Sequence, residues 1–226
     1  MGIREYFRRS SAELRGRKWL AVAAAFFLFL GGTNAALALS HPPVDDSARA
    51  LFAGAAILRV VALVWIGVVA LRRAAASPRR SWIPDGALWL YFLLTLIGFV
   101  GPILAGFLGL GLQPFLREGI MQLAGVLVIL PFAPWLVAAA VERPLAWSPA
   151  PWLVRFREWL PPLALLSLLT VFPLAWLHAW LSGWLIAMKG HAGFVELVLA
   201  DAVVTTAFVI WSLALQLTAY RRVAQG

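Results

Sequence analysis

The sequence predicts an all-α, polytopic membrane protein, a bundle of six transmembrane helices. Hydrophobic residues make up 62% of its 226 residues, whereas about half is usual in soluble domains. Apolar stretches of about twenty residues, the length that crosses a bilayer, recur along the whole chain. No stretch between them reaches the size of about 50 residues that a separate soluble domain needs. We therefore expect one membrane domain, residues 19–222.

The first 18 residues precede the first apolar stretch and carry several arginines. On a helix, Ile3, Tyr6, Phe7 and Leu14 lie on one side, a pattern typical of an amphipathic helix at a membrane surface. The alternative is a basic cytoplasmic tail whose charge only fixes the orientation of the chain. Either interpretation places residues 1–18 on the cytoplasmic side.

Span 1 covers about residues 19–39 and contains Asn34 in its second half. A competing interpretation makes it a signal peptide, because the sequence Ala36-Leu37-Ala38 fits the small-residue cleavage pattern. The apolar stretch is long for a signal core and further spans follow, which favours a retained helix. Cleavage would leave five spans.

Span 2, about residues 51–71, carries a single arginine, Arg59, near its middle. An unpaired charge at that depth is costly, so a partner is expected. Ala55, Ala56 and Ala62 lie three or four positions from Arg59, and small residues at this spacing allow close packing of membrane helices. Arg59 is therefore predicted to face protein.

Spans 3 and 4 cover about residues 87–112 and 115–141. Span 3 contains small residues at intervals suited to helix packing, namely Gly98, Gly101, Ala105 and Gly109. Span 4 opens with polar groups that include Glu118 and Gln122. These two side chains are predicted to lie near one membrane surface.

Spans 5 and 6 cover about residues 163–184 and 194–220, and span 5 is predicted to begin after Pro161 and Pro162. Span 6 has a polar face that includes Asp201 and Thr205, because these residues are four positions apart on a helix. Span 5 carries His178 on its own polar face. The two polar faces are expected to meet inside the bundle.

The distribution of lysine and arginine predicts the orientation. Fifteen of the 19 basic residues lie before span 1, between spans 2 and 3, between spans 4 and 5, and after span 6. Because cytoplasmic segments are enriched in Lys and Arg, both termini are predicted to be cytoplasmic, including the short tail 223–226. The opposite loops then face the periplasm.

Seven polar residues inside or near the predicted spans form the candidate site. They share the periplasmic half of the bundle by their depth along the helices, and they are Arg59, Asp201, Glu118, Gln122, His178, Asn34 and Thr205. Arg59 and Asp201 are expected to form a charge pair or to share one hydrogen-bonded network. Such a cluster either fixes how the helices pack or forms a site open to the periplasm.

Several classes of function are disfavoured. The formal charge of +9 is concentrated beside apolar spans, where anionic lipids explain it better than nucleic acid does. The three histidines lack the spacing of a metal motif, and no cysteine is present, so no metal or other cofactor is predicted. The sequence contains no complete catalytic motif.

The expected function is that of a non-catalytic binding or assembly component of the bacterial inner membrane. A small carrier or channel for a solute or lipid, using the polar cluster, is the alternative, and an intramembrane enzyme is a third. Expected partners are membrane lipids, including anionic lipids at the cytoplasmic face, and another membrane protein.

Overall fold

A computed structural model describes residues 2–15 and 17–224 of the chain. These residues form ten α-helices and no strand. In chain order the helices are α1 (Ile3–Glu13), α2 (Arg17–Leu39), α3 (Asp46–Ala74), α4 (Gly86–Leu108), α5 (Pro114–Ile129), α6 (Ala133–Val141), α7 (Ala150–Leu153), α8 (Phe156–Leu166), α9 (Phe172–Ala187) and α10 (Phe194–Ala224).

The described helices include six units that are long and apolar enough to cross a membrane. Helices α2, α3, α4 and α10 each form one unit. The fourth unit joins α5 to α6 through a 3-10 turn, Leu130–Phe132, and the fifth joins α8 to α9 through a π-helical turn, Ser167–Val171. The prediction of an all-α, multi-pass membrane protein with six spans is confirmed.

Several helical units extend beyond their predicted bounds, and two of them begin at least five residues early. Helix α3 begins five residues early, at Asp46, because the Asp45 side chain accepts a hydrogen bond from the Ala48 N–H and caps the helix. The fifth unit begins at Phe156, and Pro161 and Pro162 lie inside α8. A proline has no N–H group, so each of these prolines removes one helical hydrogen bond to the carbonyl four residues earlier. Both carbonyls lie in the first turn of α8, and packing against neighbouring helices holds this turn in place.

One proline of the fourth unit and one of the fifth lie at the two irregular turns. Pro131 lies in the 3-10 turn, and Pro173 is the second residue after the π-helical turn. Proline cannot donate the regular helical hydrogen bond, so the helix changes its pitch locally instead of ending. Helix α8 packs against the 3-10 turn, so the irregular part of the fourth unit lies next to the fifth unit.

Helix α10 is the central helix and packs against α1, α2, α6, α8 and α9. Its residues contribute to both apolar cores of the bundle, with Leu213 in one and Leu215 in the other. On its partner α2, a Cβ at Gly31 would lie 3.2 Å from the Cβ of Ala202 on α10. This close approach brings the following turn of α2 next to Asp201.

The N-terminal helix α1 docks on the last turns of α10. The Tyr6 hydroxyl donates to the Leu215 carbonyl at 2.8 Å, and Ser10 donates to Thr218 at 2.9 Å. The sequence pattern grouped Tyr6 with Ile3 and Phe7, but Tyr6 is fully buried whereas Ile3 and Phe7 are about half exposed. The phenol ring can be buried because its hydroxyl finds a partner on α10.

Both chain termini lie at the same end of the bundle, since α1 contacts the end of α10. We call this end the termini side and the other end the opposite side. On the termini side, the buried Arg72 side chain donates to Asp85 at 2.5 Å and to three backbone carbonyls, those of Arg80, Ile83 and Ala140. Arg72 therefore connects the end of α3, the loop that follows it and α6.

Asp85 also accepts a hydrogen bond from Arg79 at 2.8 Å and caps the start of α4 through the N–H groups of Ala87 and Leu88. Partial burial by itself would raise the pKa of Asp85, but the hydrogen bonds from Arg72 and Arg79 outweigh it and lower the pKa. The carboxylate is thus held in its charged form where the loop meets α4.

Candidate functional site

A chain of three side chains crosses the bundle between α3, α9 and α10. The Arg59 Nη2 lies 2.9 Å from the His178 Nε2, and the His178 Nδ1 lies 2.5 Å from the Asp201 Oδ1. Arg59 and Asp201 therefore belong to one hydrogen-bonded network without touching each other. His178 is the link between them.

Two more residues complete this polar network. Asn34 on α2 donates from its Nδ2 to the Asp201 Oδ2 at 2.5 Å. Thr205 donates to the Asp201 carbonyl one turn earlier at 2.7 Å, and its oxygen lies 2.9 Å from the His178 Nδ1. Asp201 has both carboxylate oxygens engaged and is fully buried.

The fold explains why these residues meet. Asp201 lies about two turns into α10, and Asn34 lies a little more than one turn before the end of α2. The Gly31–Ala202 contact places these two turns against each other. Arg59, near the middle of α3, reaches toward them with its long side chain. All five residues lie in the half of the bundle nearer the opposite side.

The hydrogen bonds determine the protonation pattern of the site. A guanidinium group can only donate, so the His178 Nε2 next to Arg59 must be an acceptor. The proton of the neutral imidazole then lies on Nδ1, where the Asp201 carboxylate and the Thr205 oxygen accept it. Since Thr205 gives its own proton to the Asp201 carbonyl, every contact is satisfied by a neutral His178 between a positive Arg59 and a negative Asp201.

A cavity of about 200 Å³ borders the network. Arg59, His178 and Asn34 form its polar wall, and Ser182 and His41 line it farther toward the opposite side; apolar side chains form the rest, among them Leu37, Phe52 and Leu185. Asp201 and Thr205 do not line the cavity. They support the wall from behind, because they hold the His178 imidazole and the Asn34 amide in place.

Glu118 and Gln122 stand apart from the network, and the described structure contains no hydrogen bond from either of them to it. Helix α5 meets α9 where a Cβ at Gly119 would lie 2.9 Å from the Trp176 ring. Because His178 is two residues beyond Trp176, it points about 200° away around the helix. The face of α9 that carries His178 is therefore turned away from α5.

The seven candidate residues do not include two residues of the cavity, His41 and Ser182, although Ser182 is predicted to share a face of span 5 with His178. Ser182 is one helical turn beyond His178, so its presence on the same wall could be anticipated from helical spacing. His41 lies in the connection that follows α2, and no periodic pattern marks such a residue. Its position depends on the path of the chain around Pro42 and Pro43.

Neither a protein-family model nor a curated protein nor a solved structure matches the chain. Within the residues described, no group of three or more His, Asp or Glu side chains could hold a metal ion. The candidate site consists of a cation, a neutral imidazole and a buried carboxylate beside a small cavity.

Proposed function

We propose that the chain is a non-catalytic binding protein of the bacterial inner membrane that takes a small polar ligand into the cavity beside Arg59. The observation that carries this proposal is the arrangement of the Arg59 guanidinium. It has five N–H donors, and within the described structure only its Nη2 bonds to another side chain, His178. Arg59 lines the cavity, where its remaining donors are suited to a ligand oxygen.

The size and composition of the cavity support a small ligand. Its volume of about 200 Å³ is below the range of about 300 to 1,000 Å³ that is typical for drug-sized molecules. Half of the residues that line it are apolar, and Arg59, His178 and Asn34 together form one polar wall. This combination favours a solute of a few heavy atoms, or one polar group of a larger molecule.

The contacts of His178 support a non-catalytic role. While Arg59 donates to the Nε2 of His178, this nitrogen is not free to take a proton from a substrate or a neighbouring nucleophile. Ser182, on the same wall, has no hydrogen bond to His178 in the part of the chain that the structure describes. The pair therefore lacks the geometry of an activated serine nucleophile.

The proposed location follows from the distribution of charge. Basic residues are concentrated on the termini side, which the positive-inside rule assigns to the cytoplasm. The cavity lies toward the opposite side, so the ligand would enter from the periplasm. The predominance of arginine over lysine fits a GC-rich bacterial genome by codon usage.

Cysteine labelling tests the proposal directly, because the chain contains no cysteine. Ser182→Cys in the cavity should react with a membrane-impermeant maleimide added to spheroplasts. Leu177→Cys on the same helix, whose side chain is exposed on the outer surface of the bundle, is the matched control and should not react from the water phase. Failure of Ser182→Cys to react from either side would contradict the proposal, because the cavity would then be closed to water.

A carrier is the second candidate, and the π-helical turn Ser167–Val171 favours it. This turn lies in the same helical unit as His178, and irregular turns are points at which a membrane helix can bend. Bending there would move the cavity wall relative to α10. Labelling of Ser182→Cys from both sides of the membrane would favour the carrier over the binding protein.

A further inference from the structure

We infer that the cavity binds a small monovalent anion together with a proton, the anion on Arg59 and the proton on the Nε2 of His178. This inference rests on the proposed function, because it needs the cavity to be a binding site. It adds the chemical class of the ligand and the condition under which the ligand binds.

The charges of the site balance one another before a ligand binds. Arg59 is positive, Asp201 is negative, and the hydrogen bonds require a neutral His178 between them. The three groups together carry no net charge. An anion that entered alone would leave one uncompensated negative charge in a largely apolar environment, which is strongly unfavourable.

A proton that binds without an anion breaks the contact between His178 and Arg59. Protonation of the His178 Nε2 would place an N–H group against the N–H donors of Arg59, now 2.9 Å away. Two donors with like charges cannot keep this contact. The guanidinium would separate from the imidazole and would lose its partner. A proton alone is therefore also unfavourable.

Binding of a proton and an anion together avoids both of these costs. When a proton and an anion arrive together, the imidazolium remains paired with Asp201 and the released Arg59 binds the anion. The site again carries no net charge. Each ligand thus favours the binding of the other, as reciprocal coupling between two sites requires.

The surroundings of His178 are consistent with this assignment. The charged groups in contact with it are Arg59 from α3 and Asp201 from α10. Helix α2 contributes the uncharged Asn34 to the same wall, and His41 lines the cavity farther out. On α5, which packs against another face of α9, Arg117 donates to the Gly106 carbonyl at 3.2 Å.

Nitrate is a suitable probe because it is small and stays an anion throughout the range in which histidine titrates, about pH 5 to pH 8. Any proton taken up is then bound by the protein. Isothermal titration of the full chain in detergent, in two buffers with different heats of ionisation, measures nitrate affinity and proton uptake together. Uptake should approach about one proton per nitrate, and nitrate affinity should fall about tenfold for each unit by which the pH rises.

Variants assign the two roles. His178→Gln should take up no proton and bind nitrate at least about tenfold more weakly at about pH 5, while Arg59→Gln should not bind nitrate at any pH. His191→Gln, at an exposed histidine outside the cavity, is the matched control and should behave as the wild type. Proton uptake that persists in His178→Gln would overturn the inference.

Measurements on the unaltered protein keep the inference testable even where a variant does not fold. Nitrate binding without proton uptake, or no nitrate binding at any pH, would overturn the inference. The proposed function would still stand in either case if Ser182→Cys were labelled. Protection of Ser182→Cys by neutral acetamide would then identify an uncharged ligand class. A Ser182→Cys variant that does not label would contradict both.

Discussion

The imidazole of His178 separates Arg59 from Asp201, so the two opposite charges within the membrane never touch. The carboxylate instead receives hydrogen bonds from His178 and Asn34, and the guanidinium contacts the far nitrogen of the ring. A direct ion pair would bury both charges against each other. This arrangement keeps the cation at the cavity and the anion behind the wall.

Removal of one charge should destabilise the protein more than removal of both. Arg59→Leu and Asp201→Leu should each cost about 3 to 5 kcal/mol, because each leaves a buried charge without compensation. The double variant should lose less than the sum by about 0.5 to 3 kcal/mol. Thermal unfolding in detergent measures all three.

Glu118→Gln combined with Arg59→Leu is the control for that cycle, because Glu118 has no hydrogen bond to the network within the described chain. Its effect should add to that of Arg59→Leu within about 0.3 to 0.5 kcal/mol. Simple additivity for Arg59 and Asp201, or coupling between Arg59 and Glu118, would contradict the observed network.

Stability should fall in acid partly through Asp85. The pKa of this carboxyl is lower in the folded state, so its contribution is fully present above the ordinary aspartate pKa of about 3.9 and is lost as the pH falls through the lower, folded value. Thermal unfolding between about pH 2 and pH 6 should show this loss in the wild type and a smaller loss in Asp85→Asn. Asp46→Asn, at a side chain that is 99% exposed, is the control; equal slopes for Asp85→Asn and the wild type would count against the prediction.

The contact between α4 and α5 should depend on Gly101. A Cβ at this position would lie 2.7 Å from the Ala124 carbonyl oxygen and 2.8 Å from the Val128 Cγ2, so Gly101→Ala should force the helices apart and cost about 1 to 3 kcal/mol. Gly54→Ala is the control, since no atom lies within 4 Å of its Cβ, and alanine is the better helix former there by about 0.5 to 1 kcal/mol. Unfolding temperatures that change equally in both variants would show that the close contact is not needed.

The proposed orientation can be tested with reporter fusions. Fusions after Arg80 and after Arg222 should report the cytoplasm, and a fusion after Lys189 should report the periplasm, because basic residues favour the cytoplasmic side. The reverse pattern would invert every loop and would place the cavity on the cytoplasmic side.

Helix α2 should remain part of the mature protein. Asn34 donates to the buried Asp201, so cleavage after Ala38 would leave this carboxylate with an unpaired oxygen and would remove the wall formed by α2. Mass spectrometry of the purified protein should detect peptides from residues 19–38. A new amino terminus at Leu39 would show that the signal-peptide interpretation is correct.

The number of spans could be predicted from the sequence because apolar length and charge are local properties of the chain. Polar residues such as Asn34, His178 and Asp201 also stand out within apolar spans. Their depth along a helix follows from counting, but the direction in which they point does not. Depth alone therefore groups Glu118 with His178. In the structure, α9 presents Trp176 to α5, so the face of α9 that carries His178 points away from Glu118.

Arg72 illustrates a second limit of the sequence. It is one of two arginines at the end of a span, and the positive-inside rule alone is enough to explain such a residue. The sequence therefore does not indicate that Arg72 is buried. Its burial depends on the loop that brings Asp85 to it and on α6, whose Ala140 carbonyl it contacts, and such contacts between distant segments have no periodic signal. The position of Asp85 just before a helical stretch is the one local clue, since aspartate is a favoured helix cap.

The docking of α1 on α10 has a consequence for the synthesis of the protein. Tyr6 and Leu215, which share a hydrogen bond, are 209 residues apart in the chain. At translation rates of about 5 to 20 residues per second, the hydroxyl of Tyr6 must wait about 10 to 40 seconds for its partner to be made. Helix α1 is thus made long before α10 but reaches its final position only after α10 has been made, and a chain that stops before α10 has no surface to receive α1.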